Sequence, residues 1–444
     1  DWTSYQQDSD RIVENARAHA VEILPFSLLG MSDSIEDQLS NTLKYAGHRY
    51  PTATEFLWRG ERYKHDRIRV AYVSADFHEH ATSHLMAGLF ERHDKSRFEI
   101  TALSFGPNGT NAMRTRLEGA FDRFIDVREK SDREVAQLMR SLEVDIAVDL
   151  KGFTAAGRPG IFVQRAVPVQ VNYLGYPGTM AAEYMDYIVA DRWVIPQEDQ
   201  RYYTEKVVYL PDSYQINDDK RRIAEGTPTR AEAGLPESGF IFCCFNNNYK
   251  ITPPVFAVWM RLLAKVSDSV LWLYQDNQAA RENLQRAAVA QGIAPQRLVF
   301  AGNKPLADHL ARHRLADLFL DTTPCNAHTT ASDALWAGLP VLTCTSATFP
   351  GRVAASLLNA LDLPELVTAN LADYETLAAD LATDRARLAQ IRARLERNRD
   401  THPLFDCARF TSHLEAAYTE MWRRSQRGAA PASFGVTRAS AIEQ

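Results

Sequence analysis

The sequence predicts an α/β protein made of two doubly wound parallel sheets, with a helical segment in front. Three observations carry this. From Arg67 onward, short β-branched runs that are apolar on both faces alternate with helical segments, as in strands covered by helices on each side. A polar stretch splits the alternation into two series. The 444 residues also suffice for about two to four folded units.

In chain order, residues 1–66 lack β-type runs. Val13, Ala16, Ala20 and Ile23 recur at helical spacing, and so do Ile35, Leu39, Leu43 and Ala46, so two helices are expected there. The first strand series is 67–74, 98–105, 144–150, 167–175, 186–191 and 206–211. These define an N-terminal domain over 67–216, followed by a linker at 217–238 rich in Asp, Lys, Arg, Pro and Thr. The second series is 240–246, 270–276, 297–302, 316–322 and 340–346, in a domain spanning 239–402. Helices are expected near 254–265, 278–291, 306–314, 329–337, 352–361 and 373–398. Residues 403–444 hold a helix at 408–424 and a small-residue tail from Gly428, expected to be mobile.

Composition removes several function classes. A chain that is 45% hydrophobic and 24% charged is neither disordered nor collagenous. No apolar run approaches the roughly 18–20 residues of a membrane-spanning helix. The 50 basic and 56 acidic side chains give a net charge of −6, which argues against nucleic-acid binding through a general basic field. Five cysteines, odd in number and without a CxxC pair, suggest neither a disulfide framework nor a zinc ribbon. Reduced thiols and no visible leader point to the cytoplasm, and a start at Asp1 reads as a fragment.

In open parallel sheets, ligands gather at the carboxyl ends of strands, so a cleft between two such domains is the expected active site. Asp76 to His84 (DFHEHATSH) follows the first strand and carries His78, His80 and His84. Its plain reading is a capped helix start, its sharper ones a ligand site or a metal site. Cys244 to Lys250 (CFNNNYK) offers amide donors and a lysine able to neutralise phosphate, or simply a surface turn. Asp321 to Gly338 (DTTPCNAHTTASDALWAG) puts His328, Thr329 and Thr330 at a helix start, where free amides and the helix dipole favour a diphosphate. Asp333, one turn on, could accept ribose hydroxyls or merely belong to a capped helix. LGYPGTM (174–180) and TFPGRVAAS (348–356) read first as turns. No P-loop, GxGxxG or GxSxG occurs, and the only DxD, Asp8-Ser9-Asp10, lies outside the strand ends.

HEHATSH, LGYPGT, FNNNYKI, CNAHTTASDALWAG and RVAASLL, in this order, resemble the catalytic region of O-GlcNAc transferases from about Arg67 to Trp422. The resemblance implies the GT-B architecture, two Rossmann-like domains facing a cleft. It implies inverting, metal-independent transfer of N-acetylglucosamine from UDP-GlcNAc to Ser or Thr hydroxyls of proteins, with no cofactor. By motif match, Lys250 binds the diphosphate and stabilises departing UDP. His328, Thr329 and Thr330 hold phosphates, Asp333 the ribose, and His309 stacks near the uracil. Asn247 stands where eukaryotic members commonly have Gln, and His80 matches the histidine near sugar and acceptor, a candidate general base. The family's lysine three residues before His309 is replaced by Leu306. Tetratricopeptide repeats precede the catalytic region in the family and are missing from this chain, so residues 1–66 are expected to be the junction to them.

Two alternatives stay open. Within the family, SPINDLY-type members transfer fucose from GDP-fucose, and the HTT…D motif favours UDP-GlcNAc over that branch. From another class comes a metal-dependent hydrolase built on His78, His80 and His84. The expected partners are a UDP-sugar and a protein acceptor, with neither nucleic acid nor membrane.

Overall fold

The computed structural model describes residues 2–17 and 22–437. Its strands in chain order are β1 (Ile68–Ser74), β2 (Phe98–Ser104), β3 (Arg123–Asp126), β4 (Ile146–Asp149), β5 (Val169–Asn172), β6 (Tyr187–Ala190) and β7 (Lys206–Tyr209). There follow β8 (Phe240–Cys244), β9 (Ser269–Tyr274), β10 (Leu298–Ala301), β11 (Leu318–Leu320), β12 (Val341–Cys344), β13 (Val367–Thr368) and β14 (Phe434–Gly435). One sheet has the order β14-β7-β6-β5-β4-β1-β2-β3, the other β10-β9-β8-β11-β12-β13. The paired strands run parallel throughout both. All of β2 and all of β8 is buried, the signature of strands with helices on both faces.

The chain divides into two compact units, Val13–Asp219 with the chain from Asp406 onward, and residues up to Ile12 with Lys220–Phe405. The helix Cys407–Gln426, expected in a separate C-terminal segment, thus counts with the N-terminal unit. Its Glu415 accepts hydrogen bonds from His93 Nδ1 (3.0 Å) and the Asp94 amide (2.8 Å), and the Tyr72 hydroxyl lies 2.8 Å from His93 Nε2. Arg409 on the same helix pairs with Asp212 at 2.8 Å.

The expected linker is packed rather than free. Arg314 donates to the Ala224 carbonyl (3.0 Å), and the Ala224 amide donates to the Ala307 carbonyl (3.1 Å). The tail from Gly428 also departs from the expectation, because Phe434–Gly435 adds β14 to the sheet edge beside β7. There Ser433 Oγ accepts the Val207 amide at 3.0 Å, and the Phe434 ring meets Tyr187 edge-on. In the first segment, helices form at Tyr5–Arg17, Pro25–Leu28 and Ile35–Arg49; the expected helical position Ala20 lies outside the described residues. Ile35–Arg49 begins at Ser34, whose side chain accepts the Asp37 amide, and carries Glu36 and Asp37 in its first turn and His48 and Arg49 in its last. The expected 373–398 helix is two, Leu371–Thr383 and Arg385–Arg399, because Asp384 turns out of helical geometry and caps the second through the Arg387 amide.

Each sheet reverses its strand order once, between β1 and β4 and between β8 and β11. Such switch points open a crevice at the strands' carboxyl ends. The motifs singled out above follow β1, β8 and β11.

Candidate active site

In the C-terminal unit, the segments after β8 and β11 meet at the switch point. Asn246, buried just past β8, donates from Nδ2 to Thr322 Oγ1 (2.8 Å), and its Oδ1 accepts the Thr330 hydroxyl. Lys250 ends the tight turn Asn248–Lys250, and its Nζ donates to the Asn326 carbonyl at 2.6 Å. Asn326 is fixed in turn through Nδ2, which donates to the carbonyls of Thr322 (2.7 Å) and Cys344 (3.3 Å). Asn247 is exposed, and its carbonyl accepts the Lys250 amide to close the turn.

Helix Thr329–Trp336 starts directly behind this loop with His328 at its N-cap, and no side chain caps its first turn. An uncapped helix start carries unpaired N–H groups and the positive end of the dipole. Burial would lower the Lys250 ammonium, but Cys325, Tyr249 and Asp321 outweigh it and hold the pKa above the ordinary value, so the group is charged at neutral pH. Burial and then the charge of Lys250 push His328 down to about 3. The imidazole is therefore neutral, and Nε2–H donates to the Pro350 carbonyl at 3.1 Å. That carbonyl belongs to the TFPGR turn, where a Cβ on Gly351 would collide with Ser346 Oγ and with the Pro324 carbonyl oxygen. Only glycine fits there.

His309 sits half-buried on helix Leu306–Arg312 with its ring centroid 5.5 Å from Phe245 and 4.8 Å from His313. Its Nδ1 is engaged by Arg312, and burial first, then His313 and Arg312, hold its pKa at about 2. Asp333 is buried and committed to an ion pair, with Oδ1 2.6 Å from Arg221 Nη1. Burial raises it to about 6 against the opposing pull of that arginine. Arg221 also lies over the Trp336 ring. Sequence reasoning missed this arginine, since one basic residue in a polar stretch gives no signal. It also missed Asp321, whose role appears only in its hydrogen bonds.

In the N-terminal unit, Asp76 follows β1 and is buried against Lys151, which follows β4, with Nζ 3.0 and 2.9 Å from the two carboxylate oxygens. His80 is the N-cap of helix Ala81–Arg92, and its Nδ1 accepts the Thr82 amide at 3.2 Å. The same Nδ1 lies 3.5 Å from Asp76 Oδ2. Burial is the main cause of the lowered pKa of His80, with Lys151, His78 and His84 adding and Asp76 opposing. His84 turns to Glu79 at 3.2 Å, and the rings of His78 and His80 are 5.7 Å apart. Among the described residues no group of three or more His, Cys, Asp or Glu side chains is placed to hold a metal ion, so the ligand set of the hydrolase alternative does not assemble. Gly175 of LGYPGT approaches Leu150 so closely that a Cβ would collide with its carbonyl oxygen.

A buried scaffold that presents a charged lysine beside an open helix N-terminus has the chemistry to receive an anion. The family model for glycosyl transferase family 41 matches residues 52–227 and 222–414. The chain belongs to this family. A probable UDP-N-acetylglucosamine–peptide N-acetylglucosaminyltransferase SEC of Arabidopsis thaliana is 36% identical over 83% of the chain and 38% of its own length. A probable enzyme of the same activity named SPINDLY, from Petunia hybrida, is 30% identical over 84% of the chain and 41% of its own length. The chain thus spans about two fifths of these curated relatives. Among solved structures, a lysine-to-methionine mutant of the Thermobaculum terrenum O-GlcNAc transferase superposes with a TM-score of 0.80 at 31% identity, covering 89% of this chain and 76% of that one. The two parallel sheets with flanking helices are those of this GT-B family, as the sequence predicted. No described helix is long and apolar enough to cross a membrane.

Proposed function

We propose that this chain is the catalytic part of a glycosyltransferase that moves N-acetylglucosamine from UDP-GlcNAc to Ser or Thr hydroxyls of proteins, inverting the anomeric centre without a metal. The observation that carries the reading is the meeting of Lys250 with the uncapped start of helix Thr329–Trp336 at the β8/β11 switch point. As the acceptor oxygen attacks the anomeric carbon opposite UDP, negative charge grows on the β-phosphate. A fixed ammonium and free amides meet that charge without reorganising, an effect worth about 2.7–4 kcal/mol per donor in other enzymes. In this reading they take the place a divalent ion fills in DxD enzymes. Thr330 and His328 line the phosphate side, His309 the base and Asp333 the ribose, where Arg221 shares its carboxylate. Asn247 lies on the same turn as Lys250.

His80, whose Nδ1 lies between the Thr82 amide and Asp76 Oδ2, is the candidate base on the protein side. In this reading the proton of the attacking hydroxyl passes to His80 or to a non-bridging oxygen of the donor's own phosphate. Calorimetric titration in EDTA with UDP, UDP-GlcNAc and GDP-fucose tests the reading. Binding of the uridine ligands that is lost in Lys250→Ala supports it. Preference for GDP-fucose moves the chain to the fucosyl branch, and dependence on added divalent ion removes the metal-free mechanism.

A further inference from the structure

Asp321, at the carboxyl end of β11, gathers more of the donor-site scaffold than any residue assigned a role above. Its Oδ1 accepts the amides of Ala327 (2.6 Å) and Thr322 (2.7 Å) and, at 3.3 Å, Asn246 Nδ2. Its Oδ2 accepts the Thr343 hydroxyl from β12 at 2.7 Å, and the Tyr374 hydroxyl donates to its carbonyl at 3.0 Å. The carboxylate is buried. Through Ala327 it fixes the residue before His328. Through Asn246 it fixes the acceptor of the Thr330 hydroxyl, and through Thr322 the loop whose Asn326 carbonyl holds Lys250.

We infer that ionised Asp321 is the positioning residue of the donor site, holding Lys250 and the start of helix Thr329–Trp336 in the arrangement that binds the diphosphate. This rests on the donor-site reading above. The chemistry is one of donor count. An ionised carboxylate only accepts, and here every group aimed at it donates. Protonation of Oδ1 sets a hydrogen against N–H donors alone, and protonation of Oδ2 turns the Thr343 hydroxyl from donor to acceptor. Either way the charge that strengthens all of these bonds is lost, and the loop loosens. The groups facing Asp321 are the Lys250 ammonium, which favours the ionised form, and the thiols of Cys244 and Cys325 and the phenol of Tyr374, which stay neutral near pH 7. Burial raises Asp321 to about 6 in spite of Lys250 and its hydrogen bonds. The site therefore loses its positioning group just below neutral pH.

The test is titration of the full chain with UDP-GlcNAc between about pH 5 and 8, a ligand with no phosphate group that titrates in this range. Wild-type affinity should be constant at the upper end and fall about tenfold per pH unit below the Asp321 value. Asp321→Asn should bind weakly with no such limb. Thr343→Val keeps the charge and removes one donor to it, so its limb should move up by about one pH unit. That variant also decides the matter if Asp321→Asn fails to fold. Asp333 is also raised to about 6, and a limb that belonged to it would persist in Asp321→Asn and stay put in Thr343→Val. Either result overturns the inference while leaving the donor site in place. Absence of UDP-GlcNAc binding by the wild type at the upper end overturns both.

Discussion

The ion pair between Lys151 and Asp76 is the sharpest stability test in the N-terminal unit. Both side chains are buried, at 7% and 8% exposure, and Nζ reaches both carboxylate oxygens within 3.0 Å. Lys151→Met keeps most of the apolar stem and removes only the charge. Asp76 is then left buried without that ammonium, with Thr82 Oγ1 at 3.4 Å and His80 Nδ1 at 3.5 Å as weak substitutes. Breaking a buried pair from one side costs about 3–5 kcal/mol, and solvent screening takes little from this at such burial. For a unit of this size that lowers the melting temperature on the order of 10 °C. Differential scanning calorimetry of wild type, Lys151→Met, Asp76→Asn and the double variant gives the number and the coupling. The double variant should be no less stable than Lys151→Met alone, because no unpaired charge remains. A loss below about 1 kcal/mol in Lys151→Met, or strict additivity in the cycle, refutes the argument.

Other consequences are independent of that pair. Lys250→Ala should lower turnover by about 10²–10³-fold with an unchanged melting transition, and near-normal turnover would remove its assigned role. The imidazoles of His309, His313 and His328, held at about 2, 4 and 3 chiefly by burial, should show no titration by NMR between about pH 5.5 and 8. Because these values are depressed, the unfolded chain takes up protons first. The histidines' contribution to stability is full above the ordinary histidine value and is lost as pH falls toward the folded ones. Truncation after Ala429 removes β14 and should speed hydrogen exchange at the Val207 amide, which donates to Ser433 Oγ, while β1 and β4 stay protected.

The sequence revealed those parts of the fold whose signal is local. Strands such as β1, β2 and β8 are β-branched and buried on both faces, and each stands where its apolar run placed it. β3 has no fully buried residue, and β13 and β14 have two residues each, so neither apolar periodicity nor length marks them. The break at Asp384 was missed, although an Asp followed by a fresh helical run is a cap signal. Strand order was not legible, and with it went the two switch points that bring Lys250 to the Asp321–His328 loop and Lys151 to Asp76. The partner of helix Cys407–Gln426 was hidden for the same reason, because Glu415 meets His93 more than three hundred residues away in sequence. Lys250, His328 and Thr330 could be named from motif and strand-end logic. Arg221 and Asp321 act through partners that only the folded chain assembles.

The central claim is tested most directly by incubating the chain with UDP-GlcNAc and Ser- or Thr-containing acceptor proteins in EDTA, then reading product mass and anomeric configuration. The account predicts one N-acetylhexosamine per modified hydroxyl, β-linked, formed by the wild type and lost in Lys250→Ala. A deoxyhexose added from GDP-fucose instead, or transfer that survives Lys250→Ala, would contradict it.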